Sequence, residues 1–475
     1  MNTRHDGDDT GALQGADLIV KHVWIVTVDA DRRILRDGAL AIKGDRIVAV
    51  GSTSEVLQNF RSESVIDGTD RFVVTPGFVN GHVHVTGEPI TRGFVPDNTD
   101  WQENVFGWLI PTYLSQTSED EKLSAQLAAL EMLRTGTTCF VEAGTILDLD
   151  ATFEALCETG IRGRLGQWLQ DRAFDPADDQ AELTKAAVRK MLDQQEKYPA
   201  SADARLAAAP CLVGHNTATD DLWKEATALA RDRRVGVTAH MSADPADPNY
   251  YLETTGKRAI DHLASLDALG SHLSLTHAVH LDMNEVELLA GSGTSVTHCP
   301  MTAMKGGYGA TAEGLFPEMA ERGVNILLGT DGANNGNTSD LMRAMFCSAG
   351  IFKDSRRNPN LFPATRVLEM ATINGAKAAQ VSDIVGSIEV GKKADFVLHD
   401  RKRPEWTPLI DPVNQLVYAA DGRGVHSVWV DGIRVVDTYR STLIDEEKLY
   451  ADVQTASDRL VARLDRKSTP AWPTV

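Results

Sequence analysis

The chain has 475 residues, 42% hydrophobic and 24% charged, enough for a sizeable core in one large domain plus a smaller one. Acidic residues outnumber basic ones by 67 to 47, and the net charge of −20, with no basic stripe to offset it, argues against a nucleic-acid partner. No apolar run is long enough to span a bilayer, and five scattered cysteines without CxxC spacing fit reduced thiols, so a cytoplasmic, non-membrane protein is expected.

Residues 1–16 are polar, rich in Gly and Asp, and lack an apolar h-region, so they read as a disordered tail rather than a signal peptide. Residues 17–28 and 38–50 alternate apolar and polar positions around a turn at Lys43-Gly44-Asp45, and residues 394–399 and 424–436 repeat that pattern. Neither cluster can bury a core alone. A small β-sandwich built from both chain ends, 17–74 and 385–445, is therefore expected. Between them, in 75–384, apolar runs at 139–142, 205–212, 236–240, 273–277, 293–298 and 324–329 alternate with helical segments such as 120–134 and 183–195. That alternation predicts the α/β class and a (β/α)₈ TIM-like barrel. Residues 446–475 complete the chain as a polar helix and tail.

His82 and His84 form an HxH pair at the end of the apolar run 72–84. Residues i and i+2 of a strand point to one side, so both imidazoles are expected to face the barrel interior, a good start for a divalent metal. His240 closes the run GVTAH, His277 closes LSLTH, and Asp331 follows ILLGT. Each falls at the C-terminal end of a candidate strand, the face where such barrels place their active sites.

The segments PGFVNGHVH (76–84), THAVHL (276–281) with the following Glu285, GTDGAN (329–334) and GSIEVGKKADFVLHD (386–400) resemble the amidohydrolase superfamily. The branch is that of S-adenosylhomocysteine and guanine deaminases, triazine hydrolases, phenylurea hydrolases and molinate hydrolase, and the resemblance covers roughly residues 17–436. It implies that His82, His84, His240 and Asp331 hold one metal, and that His277 polarises the substrate. Binuclear relatives carry a lysine on the fourth strand. The segment ARLAAAPCLVGH (204–215) has none, so one divalent ion per subunit is expected, with zinc the default and iron, manganese or cobalt fitting the same ligands. The resemblance also implies a homo-oligomer. Three imidazoles and a carboxylate leave a position for water, whose pKa a metal lowers. Asp331 can then shuttle a proton while His277 steadies a developing oxyanion.

Two departures from the resemblance bear on the substrate. Deaminases of this branch place a glutamate three residues after the strand-five histidine, where it protonates a ring nitrogen; here His240 is followed by Met241, Ser242, Ala243 and Asp244. An alanine transfers no proton. In the segment 298–305 the family's Ser-Asn pair reads Thr302-Ala303, and Met301 and Met304 make the neighbourhood more apolar. Both point to a small apolar substrate already bearing a carbonyl: a urea, carbamate, thiocarbamate or anilide, with a phenylurea hydrolysed to an aniline. The alternative is a deaminase or dechlorinase of an aminated heterocycle, with Asp244 standing in for the glutamate. Trp101, Trp108, His215, Asn216, Tyr250, Met301 and Thr302 are the candidate substrate contacts.

Overall fold

The computed structural model describes residues 13–201, 204–468 and 472. Its centre is a closed barrel of eight parallel strands: β1 (Phe78–Val83), β2 (Thr137–Glu142), β3 (Arg162–Leu165), β4 (Leu206–Ala208 and Cys211–Gly214), β5 (Val237–Met241), β6 (Leu273–His277), β7 (Ser295–His298) and β8 (Ile326–Leu328). The ring closes where Thr330 and Asp331 donate their backbone N–H groups to the His82 carbonyl at 3.1 and 2.9 Å. The α/β barrel expected from the strand–helix alternation is the observed fold.

Two strands differ from their sequence patterns. Strand β3 carries two arginines and a glycine in four residues and shows no apolar run, yet all four are buried. The run at 205–212 is one strand in pattern and two short pieces in space. Pro210 has no N–H to give the ladder, so the chain breaks there while its carbonyl still accepts from Thr238 at 3.1 Å. The helices match in place and run longer: Ser118–Arg134 opens on a Thr117/Asp120 capping box, and Gln180–Lys197 on the Asp179 side chain.

The two chain ends share one nine-stranded sheet. Phe72–Pro76 is its seam, pairing antiparallel with Phe396–Asp400 and parallel with Leu18–Val26. Val20, Val23, Ile25, Leu40 and Phe396 fill its core, with Trp429 stacked on Phe396 at 4.6 Å. Residues 1–12 of the expected tail lie outside the described residues. The tail's last stretch is not disordered: Gln14–Gly15 pairs with Phe60–Arg61, because the backbone beside that edge offers matching partners. At the other end the helix Glu446–Arg463 packs on Leu123 and Leu130 of the helix Ser118–Arg134.

Arg162 couples barrel to sheet. Its side chain is fully buried, donates from Nε and Nη2 to Asp395 at 3.0 and 3.1 Å, and also reaches Asp431. Replacing Arg162 with Met strands the buried Asp395 carboxylate and takes a partner from the half-buried Asp431. We expect a loss of about 3–5 kcal/mol of stability, read by urea unfolding. A loss below about 1 kcal/mol would show that water replaces the guanidinium there.

Candidate active site

The C-terminal ends of the strands gather the predicted residues. His82 lies in β1 beside a register shift between Asn80 and Val83, and His84 directly follows the strand's last residue. His82, His84 and Asp331 each offer a ligand atom within 4.8 Å of the others, and so do His82, His240 and His277. The Nε2 atoms of His84, His82 and His277 stand 3.1, 3.7 and 3.9 Å from the Asp331 carboxylate. His215, Ser242, His277 and Asp331 all adopt positive φ, between 49° and 76°, directly after or at the ends of barrel strands. Such strain in non-glycine residues collects where a side chain must be aimed.

These groups fit a divalent cation. His240 Nδ1 lies 2.9 Å from the Val213 carbonyl and can only donate there, which leaves its Nε2 lone pair free for a metal. Thr276 Oγ1 contacts His82 Nδ1 at 3.0 Å, while His82 Nε2 is buried with no partner among the described residues. Burial holds His82 and His240 well below the ordinary imidazole range, hence neutral. Burial opposes ionisation of Asp331, but the hydrogen bond from His84 and the surrounding imidazoles outweigh it and keep it a carboxylate. Burial also disfavours a charged His84, yet Asp331, Glu88 and Glu142 overcome it and push the imidazole up to about 9. The same negative field favours a bound cation. Burial takes His277 down to about 4, so it is neutral near pH 7 and able to donate a hydrogen bond.

Several supporting residues carry no sequence motif. Glu88 is fully buried, accepts from Tyr113 Oη at 2.5 Å and from the Asn334 N–H at 2.7 Å, and so ties the segment after β1 to the GTDGAN loop. Gly332 is required beside it: a Cβ there would lie 1.8 Å from the Glu88 carboxylate. Asp247 accepts from the Ser242 N–H at 2.6 Å and pairs with His215 Nδ1 at 3.0 Å, which aims His215. Glu285, part of the motif that carried the resemblance, caps its own helix and binds Arg258 at 2.7 Å.

The expected substrate contacts separate. Trp101 is half-buried with its ring 5.5 Å from His215, and His215 stacks on His240 at 5.7 Å. Trp108 instead sits in a separate apolar cluster with Phe94, Leu109 and Tyr113, under the Arg466 guanidinium. Tyr250 is half-buried beneath Arg172, and the Asn216 carbonyl accepts from the same arginine. Met301 packs against the main core, whereas Thr302 is buried with its hydroxyl unpartnered among the described residues. Tyr308, absent from the sequence candidates, sets its ring edge-on to His277 at 5.5 Å.

The fold is thus an α/β barrel with histidines and an aspartate converging on its C-terminal face, a group that could hold a metal ion. The amidohydrolase family matches residues 73–435, and the chain belongs to that family. It is similar to a 5'-deoxyadenosine deaminase of Methanosarcina acetivorans, 32% identical over 94% of this chain and 99% of that protein. It is also similar to a 5-methylthioadenosine/S-adenosylhomocysteine deaminase of Nitratidesulfovibrio vulgaris, 33% identical over 93% of this chain and 96% of that protein. Among solved structures, an adenosine deaminase from Xanthomonas campestris with bound zinc matches at a TM-score of 0.84 and 27% identity, covering 94% of this chain and 99% of that one. The atrazine chlorohydrolase of Arthrobacter aurescens, at a TM-score of 0.82 and 22% identity over 93% of this chain and 100% of that one, shares the fold.

These full-length likenesses overturn the expected cleavage of a urea, carbamate or anilide. That expectation rested on the missing acid at Ala243 and on the apolar segment 298–305 with Met301 and Met304. It gave no weight to donors brought in from other strands, which the spacing around His240 does not reveal.

Proposed function

We propose that the chain is a mononuclear, zinc-dependent aminohydrolase that replaces the exocyclic amine of an adenine ring by oxygen, in a 5'-modified adenosine. The observation that carries the reading is full-length similarity, at 32% and 33% identity, to two kinds of adenosine-derivative deaminase, in a chain that also keeps the four ligand-type residues together. Neither piece of β4 offers a lysine to bridge a second ion, which supports a single metal.

His82, His84, His240 and Asp331 would hold a divalent metal, which when bound would supply Lewis acidity to make water a nucleophile near neutral pH. The chain's own groups do the rest. Asp331 accepts a proton from the attacking water and returns it to the departing amine. Neutral His277 donates a hydrogen bond to the oxygen being added. Trp101 and His215, edge to face at 77°, supply aromatic surface beside His240 on which a purine can pack.

The test is a substrate panel: 5'-deoxyadenosine, 5-methylthioadenosine, S-adenosylhomocysteine, adenosine, guanine and a phenylurea, with the metal-analysed protein. Ammonia release and the ultraviolet shift from adenine to hypoxanthine are expected with the 5'-modified adenosines. Aniline release from the phenylurea with no purine deamination would contradict the reading.

A further inference from the structure

Deamination of an adenine ring places negative charge on the ring nitrogen beside the attacked carbon, so a hydrogen-bond donor must meet that nitrogen. Residue 243 supplies none: Ala243 is buried and ends in a methyl group. Asp244, one residue on, is engaged otherwise, since its Oδ1 accepts from the Ala246 N–H at 2.9 Å where the helix Ala246–Thr255 begins.

Tyr308 comes beside His277 from a different loop. It follows β7 and the short helix Pro300–Lys305, and its N–H donates to the Ala303 carbonyl at 3.0 Å. Its ring lies across Gly306, where a Cβ would stand 2.4 Å from Tyr308 Cε1, and meets the His277 ring edge-on at 81°. Glycine below and imidazole beside fix the ring. The half-buried phenol makes no hydrogen bond among the described residues, which leaves its hydroxyl open to a ligand. Burial, and after it the charge of Asp331, raises its pKa well above the usual range, so the group stays a donor.

We propose that the Tyr308 hydroxyl donates the hydrogen bond to the substrate's ring nitrogen and takes over the task for which residue 243 has no acid. This rests on the aminohydrolase reading. The proton count closes without transfer from the phenol. As the C–O bond forms, Asp331 takes one proton of water and passes it to the amine, which leaves as ammonia when its C–N bond breaks. The second proton stays on the added oxygen and shifts to the ring nitrogen as the product assumes its keto form.

The experiment compares wild type, Tyr308→Phe and Asp244→Asn on 5'-deoxyadenosine, following kcat and KM, together with binding of the same nucleoside to metal-depleted protein by fluorescence titration. Tyr308→Phe removes one oxygen and keeps the ring packing. We expect its kcat to fall about 10²-fold with KM changed less than about threefold. Asp244→Asn is expected to stay within about threefold of wild type. Unchanged turnover in Tyr308→Phe, or a collapse confined to Asp244→Asn, overturns the role of Tyr308 and leaves the deaminase reading standing. A wild type that neither deaminates nor binds the nucleoside overturns both.

Discussion

Asp331→Asn is expected to reduce kcat by about 10³–10⁴-fold, because on the proposed reading one substitution removes both a charged ligand and the group that moves the proton. Asparagine keeps the shape and can still accept from the Gly332 N–H, as Asp331 does at 2.7 Å, so the fold at the end of β8 should survive. What changes is charge. His84 loses the carboxylate 3.1 Å away, and the imidazole cluster loses the anion that balances a divalent cation. Elemental analysis of the variant should show reduced metal occupancy, with far-ultraviolet circular dichroism unchanged. Activity within about tenfold of wild type would mean that another group moves the proton.

Metal removal has an effect of similar size. A chelator should abolish turnover, and zinc should restore it in wild type but not in His82→Ala. His82 contacts the cluster from the barrel interior, with His84 at 5.1 Å, His240 at 4.8 Å and His277 at 5.9 Å between ring centres, so its loss opens the centre of the site. A ligand that binds only the folded state, present at a thousand times its dissociation constant, adds about 4 kcal/mol. The metal-free protein should therefore melt at a lower temperature than the holoenzyme, and His82→Ala should melt at one temperature with or without zinc. A chelated protein with full activity would remove the metal from the account.

Much of this site is legible along the chain because a barrel writes its active site at strand ends. His240 and His277 each close an apolar run, and Asp331 comes just after one, so one-dimensional position translates into one face. Strand β3 is not legible that way: Arg162 is a buried ion-pair partner of residues more than two hundred positions away, and no local pattern announces it. The same holds for Glu88, Asp247 and Tyr308, whose partners come from other strands. Trp108 shows the reverse error. It was a candidate substrate contact like Trp101, but within the π-helical turn Glu103–Leu109 it joins a separate apolar cluster while Trp101 stays beside His215. Ala243 was legible and misleading, since the loss of one acid says nothing of a hydroxyl supplied from the loop after β7.

The most direct measurement is to run 5'-deoxyadenosine turnover in heavy-oxygen water and analyse the product by mass spectrometry. The account predicts stoichiometric ammonia and a hypoxanthine nucleoside carrying one heavy oxygen at the carbon that lost the amine. An unlabelled nucleoside, or an adenine ring that keeps its amine while another bond is cut, would contradict it.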